Sequence, residues 1–367
     1  MKIIHFLHEL KFSGAEIMYV DAAPIFQKLG CSLTVVNTAT QLGEYAPFFE
    51  KSGYKVLHWP YPQSYIKRFQ YYKKVIQYLK ENNYNVVHIH SDNLKWGLSF
   101  CAWIANCKSL YTFHATFKSH WYSRPLHCWL RWSAKNIFKC KFQTISDSVY
   151  NNEKSYYHNS TVKIYNWYNN LRFFPANKNE KLDIRNKLNL VHNAPIIISV
   201  GRCDENKRHS DIIKSLPYII NKYPNTIYLH LGDGILLPKE KDLAQKLNVS
   251  NHIYFYGNQK DVRSYLIASD IYVMTSIREG ISITTIEAMS CKIPTILYNV
   301  PGLKDFNKEK ECAILIPESP EILAQNIIKV YEDKKLQEKL ITNGLEIVNN
   351  HFNMEKNVQK IFELYKK

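Results

Sequence analysis

The chain has 367 residues, 46% of them hydrophobic, enough for one or two domains with cores of their own, which excludes disordered and fibrous classes. Its 48 Lys and Arg against 32 Asp and Glu give a net charge of +16, a balance that favours anionic partners: nucleic acid, a membrane surface or phosphorylated substrates. Eight cysteines with no CxxC and no regular ligand spacing argue against a disulfide scaffold and for reduced thiols in a cytoplasmic protein. The first residues, Met1 to Glu9, are too poor in apolar side chains for a signal peptide. The longest near-apolar stretch, Trp96–Ala105, is about half of the roughly 20 residues a bilayer span needs, so no transmembrane helix is expected.

In chain order, short β-rich runs at Lys2–Leu7, Leu33–Asn37, Lys55–Trp59, Val86–His90, Leu110–Phe113, Phe142–Ile145 and Val162–Tyr165 alternate with amphipathic segments such as Ile66–Lys80. The stretch Asn166–Glu180 is polar, contains Pro175 and lacks periodicity, as a domain boundary should. The alternation then restarts with strands at Ile196–Val200, Ile227–Leu231, Ile253–Tyr256, Ile271–Met274 and Thr295–Tyr298. Helices are expected at His209–Lys222, Lys239–Leu247, Val262–Ala268 and Thr284–Ser290, and a last one from His351 to Tyr365. Strands alternating with helices predict an α/β protein of two doubly wound, Rossmann-like parallel-sheet domains, residues 1–170 and 171–350.

Such sheets bind ligands beyond the carboxyl ends of their strands, and the residues with chemical potential sit there. Ser13-Gly14-Ala15-Glu16 follows the first strand, where Gly14 lets backbone approach a ligand; a plain turn reads equally well. After the first strand of the second domain come Gly201, Arg202 and Lys207, two cations suited to one diphosphate, or to ordinary surface charge. Gly232-Asp233-Gly234 and Tyr256-Gly257 end the next two strands and could set backbone against a base or ribose. The most informative run is Arg278-Glu279-Gly280-Ile281-Ser282 through Glu287-Ala288-Met289. Glu287 lies just over two helical turns from Glu279, which places both carboxylates on a similar face, able to grip sugar hydroxyls. Neither G-x-G-x-x-G nor a P-loop occurs, which disfavours nicotinamide dehydrogenases and P-loop nucleotidases.

Taken together, Val200-Gly201-Arg202 through Lys207, Gly232-Asp233-Gly234, Ala268-Ser269-Asp270, Glu279 to Glu287-Ala288-Met289 and Pro294 resemble the retaining glycosyltransferases of family four, of bacterial envelope-glycan type. The similarity covers essentially the whole chain. It implies GT-B architecture, with two Rossmann-like domains facing across a cleft and residues 351–367 crossing back to the first domain. It implies a hexosyltransferase that moves a sugar from a nucleotide-diphosphate sugar to a glycan or polyprenyl-linked glycan, with no cofactor and no metal. Arg202 and Lys207 would hold the donor diphosphate and Glu287 the ribose. Glu279 would approach the donor sugar, with Gly280, Ile281 and Ser282 near the phosphates and Gly14 lining them from the first domain. His114, at the end of Tyr111-Thr112-Phe113, matches the family's strand-end histidine beside the reacting carbon, while His88 and His90 match core positions. Departures are Thr275 for a Pro, Ile235 for a Pro, and Lys292 for a Gly whose loss is expected to alter the local turn.

From Asn93 to Ser146 no acidic residue occurs, and Phe117 to Lys141 interleaves cations with Trp and Tyr. One reading is contact with an anionic membrane surface, suited to a lipid-linked acceptor on the inner face of the cytoplasmic membrane. Another is nucleic-acid stacking. The plainest is a core helix with Trp129, Trp132 and Phe138 inward. A basic nucleic-acid-binding protein accounts for the charge but not for the paired carboxylates, so no nucleic-acid partner is expected. A nucleotide-sugar epimerase of the same architecture would differ by forming product without an acceptor.

Overall fold

The computed structural model describes residues 1–190 and 194–366. They form two compact units, Met1–Asn169 with Met354–Lys367, and Asn170–Asn353. The first unit runs β1 (Lys2–Leu7), α1 (Gly14–Lys28), β2 (Ser32–Asn37), α2 (Ala46–Lys51), β3 (Lys55–His58), α3 (Tyr65–Glu81), β4 (Val86–Ile89), α4 (Lys95–Ile104), β5 (Lys108–Phe113), α5 (Arg124–Asn136), β6 (Lys141–Thr144), α6 (Asp147–Asn151) and β7 (Val162–Lys163). The second runs α7 (Lys178–Lys187), β8 (Ile196–Val200), α8 (His209–Ile220), β9 (Ile227–Leu231), α9 (Leu237–Lys246), β10 (Ile253–Gly257), α10 (Val262–Ala268), β11 (Ile271–Met274), α11 (Ile283–Ser290), β12 (Thr295–Tyr298), β13 (Ile314–Ile316), α12 (Pro320–Glu332) and α13 (Lys334–His351). A last helix, α14 (Met354–Lys366), belongs to the first unit.

Both sheets are parallel, in the orders β3-β2-β1-β4-β5-β6-β7 and β10-β9-β8-β11-β12-β13. Their central strands are buried on both faces, which is why β8 reads as the unbroken apolar run Ile-Ile-Ile-Ser-Val with all five residues buried. In each sheet the winding reverses beside the first strand: between β1 and β4, and between β8 and β11. Those two crevices are where a doubly wound sheet receives a ligand.

The last helix starts three residues later than the sequence periodicity predicts, because α13 runs through His351 and the chain turns at Phe352 before α14. Its buried face, with Val358, Ile361 and Tyr365, packs on the first unit, where the Tyr365 hydroxyl lies 2.6 Å from His88 Nδ1. β13, three residues long, carries no sequence signal of its own beyond Ile-Leu-Ile. Among the described residues no helix is long and apolar enough to cross a membrane.

Candidate functional site

The second unit's switch point is built by the segments that follow β8 and β11. Gly201 directly follows β8, its N–H donating to Leu231 O at 3.0 Å, and a Cβ on it would press on the Lys207 side chain at 3.2 Å. Gly232 faces it at φ +139°, and a Cβ there would lie 1.8 Å from Gly201 O, so only glycine allows these two strand ends to touch. Past β11, the Thr275 hydroxyl reaches the carbonyls of Lys207 at 2.8 Å and Arg208 at 3.0 Å. Ile277 N donates to Asn206 O at 2.9 Å, and Asn206 Nδ2 returns a bond to Arg278 O at 2.9 Å. The two loops are thus laced together by one backbone bond and three side-chain bonds to backbone carbonyls.

Lacing brings Lys207 and Glu279 into contact. Lys207 Nζ donates to Glu279 Oε1 at 2.6 Å, with the side chains only 19% and 13% exposed. A charge-assisted bond in that setting holds the ammonium in one place instead of leaving it to wander on a four-carbon stem. A third loop supports the carboxylate: Glu279 N donates to Pro301 O at 3.3 Å, and Gly302, at φ +84°, brings its backbone so close that a Cβ would sit 2.3 Å from Glu279 O. Asn206, Thr275 and Gly302 were not among the residues the sequence nominated. Gly302, after Pro301, was the one with a visible turn signature.

Other nominated residues lie around this pair. Arg202 is 60% exposed, its Nε 3.8 Å from Asp204, so it is free to reorient towards an anion. Gly234, at φ +157°, packs on Cys203, where a Cβ would meet Cys203 O at 2.5 Å. Gly257, at φ +65°, borders open space and accepts from Gly232 N at 2.9 Å. Gly280 and Ile281 lead into α11, whose N-cap is Ser282: its Oγ accepts from Thr285 N at 3.2 Å. Thr284 Oγ1 ties this helix start to the end of β8 through Val200 O at 3.3 Å.

Helical spacing does not relate Glu279 to Glu287. Helical geometry starts at Ile283, so Glu279 sits in an irregular loop and its direction is set by Lys207 and Gly302, while Glu287 is a buried residue of α11 proper. The turn at Lys292 is not altered either. Lys292 takes φ +63°, with Ile293 N donating to Ala288 O at 3.1 Å, the left-handed helix ending that glycine normally provides. A concavity of about 720 Å³ in this unit, lined by Asp204, Glu205, Arg208, Leu236, Glu240 and Ile277 among others, does not take in Arg202, Lys207 or Glu279.

In the first unit, Gly14 opens α1, and the Ser13 hydroxyl bonds the buried Glu16 carboxylate. His114 follows β5 and lies 3.0 Å, Nε2 to Nδ1, from His90, which in turn lies 3.2 Å from His5 Nδ1. Three imidazoles therefore run in line from the strand end into the sheet. Burial pushes His114 down to about 4, against the pull of Asp92, and His5 down to about 3. All are neutral near pH 7, so His114 offers a hydrogen bond rather than a charge. His5 and His90 as members of this chain were not foreseen, since alternate strand residues also read as core.

Two family descriptions match these units in turn. The Glycosyltransferase Family 4 description matches residues 12–169, and that of Glycosyl transferases group 1 matches residues 180–346. The chain belongs to the family 4 glycosyltransferases. Among its relatives, a glycosyltransferase of Methanocaldococcus jannaschii is 30% identical, over 47% of this chain and 50% of that one. The UDP-Gal:alpha-D-GlcNAc-diphosphoundecaprenol alpha-1,3-galactosyltransferase of Escherichia coli is 29% identical, over 53% of this chain and 51% of that one. The matched part thus spans about half the length of these curated relatives. The fold is similar throughout to Anabaena HepE, solved in complex with UDP: TM-score 0.85, 19% identity, and 100% of both chains covered.

Proposed function

We propose that this chain transfers a sugar from a nucleotide-diphosphate sugar to a glycan or lipid-linked glycan acceptor. The observation that carries the reading is the Lys207–Glu279 pair, fixed at the switch point between β8 and β11, with the exposed, loosely paired Arg202 on the same loop as Lys207. Departure of a nucleoside diphosphate puts negative charge on phosphate oxygens, and cations held in place beforehand stabilise that charge without reorganising. Lys207 supplies one such charge and Arg202, recruited when the donor binds, a second, so no divalent cation is needed at the diphosphate. The transfer proceeds with retention: the bond from C1 to the diphosphate oxygen breaks, the acceptor oxygen bonds C1 on the same face, and the acceptor proton passes to the departing diphosphate. Neutral His114 orients a donor-sugar hydroxyl. Glu279 contacts the sugar, Glu287 the ribose, and Gly14 and the Gly280–Ser282 backbone the phosphates.

A thermal-shift panel of UDP, GDP, ADP and CMP, with and without Mg²⁺, beside a single-stranded oligonucleotide, tests this. A ligand at 100 times its Kd adds about 2.7 kcal/mol to stability. One nucleoside diphosphate, with UDP the first choice given the UDP complex and UDP-Gal relative, should stabilise the protein equally in either buffer and fail to do so in Arg202→Ala. A shift with the oligonucleotide alone, or a nucleotide shift that needs Mg²⁺, would count against the proposed site.

The acceptor is proposed to be lipid-linked and met at an anionic membrane surface, because α5 turns its aromatic side outward. Trp129 and Trp132 on α5 are 52% and 55% exposed, with Leu126 exposed on the same helix and Trp121 (84%) and Tyr122 exposed in the turn before it, whereas Arg131, Ser133 and Ala134 face the interior. This overturns the core-helix expectation for Trp129 and Trp132. Phe138 alone is inward. At the start of α3, Tyr65, Ile66 and Phe69 are exposed as well, next to Lys67 and Arg68. Indole rings with lysines suit headgroup depth. Co-sedimentation with anionic vesicles should exceed that with neutral ones, and Trp121→Ser/Trp129→Ser/Trp132→Ser should lower it about tenfold, roughly 1.4 kcal/mol. Absence of the wild-type chain from both pellets would end the membrane proposal.

A further inference from the structure

Behind the loop that carries Arg202 and Lys207, the second unit buries four side chains of the kinds that hold transition metals. Cys203 follows β8, His209 opens α8, His230 lies on β9 and Glu240 on α9, and their exposures are only 0–3%. One ligand atom from each lies within 4.8 Å of all the others. His230 Nε2 faces both Glu240 Oε2, at 3.0 Å, and Cys203 Sγ, at 3.8 Å. His209 Nδ1 is 3.7 Å from Glu240 Oε1, beyond hydrogen-bond reach. Both ring nitrogens of His209, and His230 Nδ1, are buried with no hydrogen-bond partner. Buried polar atoms are nearly always paired, and an orphan is costly. Four buried side chains of these types, from a loop, a strand and two helices, need a reason to converge with three ring nitrogens unpaired.

We propose that Cys203, His209, His230 and Glu240 form a structural Zn²⁺ site. The donor set, one sulfur, two imidazole nitrogens and one carboxylate oxygen, is of the kind zinc takes in four-coordinate sites. Bonds of roughly 2.0–2.3 Å imply ligand-to-ligand edges of about 3.3–3.8 Å in a tetrahedron. The separations of 3.0, 3.7 and 3.8 Å bracket that range, so rotamer-scale adjustment closes the site. Charge fits too: a thiolate and a carboxylate with two neutral imidazoles balance one divalent ion, which leaves the buried site neutral. The Cys203 thiol would bind as the thiolate, its proton released to solvent as the cation arrives. With every ligand buried there is no open position for water, so the ion is structural rather than catalytic.

The first unit offers a contrast. His5, His88 and His90 are also close together, but both nitrogens of His88 are already engaged, by Tyr365 and Thr112, and no anionic ligand stands among them. In the second unit the ion would tie both ends of the segment from Cys203 to His209 to β9 and α9, and Lys207 lies within that segment. Its effect on sugar transfer would be positional, and the test below reads metal and stability, independent of the transfer reaction.

The full chain, purified without chelator, should contain about one zinc per molecule by elemental mass spectrometry. Stripping the ion should lower Tm by several degrees, with recovery on adding Zn²⁺ but not Mg²⁺. Reloading the stripped protein with Co²⁺ should give a thiolate-to-cobalt charge-transfer band with intense tetrahedral d–d absorption. Cys203→Ala should lose that band, and Cys203→Ala/His209→Ala should lose the zinc. If these variants do not fold, the cobalt spectrum of the wild-type chain carries the test alone. Wild-type protein with no zinc, no Tm response to Zn²⁺ and no thiolate band would overturn the proposal. So would zinc retained at full stoichiometry by the folded double variant. In either case the four residues form a metal-free polar network.

Discussion

Lys207→Ala is expected to lower kcat/KM for sugar transfer by about 10²–10³-fold, the scale seen when one preorganised charge donor is removed from a developing anion. The geometry explains why so much should ride on one side chain. Lys207 is the better fixed of the two candidate cations: Glu279 holds its ammonium at 2.6 Å, Gly201 backs its stem, and Thr275 pins its carbonyl. Arg202, exposed and loosely paired, has to be recruited when ligand binds. The variant should lose stabilisation by nucleoside diphosphate along with turnover, since the phosphates are present in both. Glu279→Ala should behave differently. Transfer should fall by a comparable factor, but diphosphate binding should survive better, because this carboxylate is proposed to meet the sugar. Losing either partner of a pair still partly open to solvent should cost the fold only about 1–3 kcal/mol, which Tm reports separately. Both variants folded, with turnover within a few-fold of wild type, would remove this pair from the mechanism.

How much of this was legible in the sequence depends on whether the signal is local. Buried parallel strands announce themselves, and Ile196–Val200 and Ile271–Met274 form as read, because an unbroken apolar run has few alternatives. Gly201, Lys207 and Glu279 could be nominated from their places after those strands. Their pairing could not be read: Lys207 and Glu279 stand 72 residues apart and meet only because Asn206 and Thr275 join two loops. Helical periodicity could not relate Glu279 to Glu287, because the helix begins only after the cap at Ser282. For α5, composition predicted an amphipathic helix but not its roll, since tryptophan suits a core as well as a membrane interface. The inward side is chosen by Arg131. Most hidden of all is the quartet of Cys203, His209, His230 and Glu240, whose spacing follows no ligand motif because each arrives on a different element.

Arg131→Met should destabilise the first unit by about 3–5 kcal/mol, the cost of stranding one partner of a buried ion pair. Arg131 and Glu153 are 4% and 2% exposed and joined by two parallel bonds, Nε to Oε2 at 2.8 Å and Nη2 to Oε1 at 2.9 Å. Neighbours complete the arrangement: Asn159 Nδ2 donates to Glu153 Oε2 at 2.7 Å, Arg131 Nη1 donates to His127 O at 3.2 Å, and the guanidinium lies 3.5 Å from the centroid of the Tyr157 ring. With Arg131 gone, the buried Glu153 carboxylate loses both guanidinium bonds and keeps Asn159 as its side-chain donor. At roughly 2–4 °C per kcal/mol for a unit of this size, the melting transition should drop by roughly 10 °C. Glu153→Leu alone should cost as much, whereas Arg131→Met/Glu153→Leu should recover most of the loss, because an apolar pair has no charge to strand. A single-variant cost below about 1 kcal/mol, as for an exposed pair, would refute the burial argument. Because the same contact sets the roll of α5, the single variant should also bind anionic vesicles less well at temperatures where the rest of the unit is folded, and the double variant should regain that binding together with its stability.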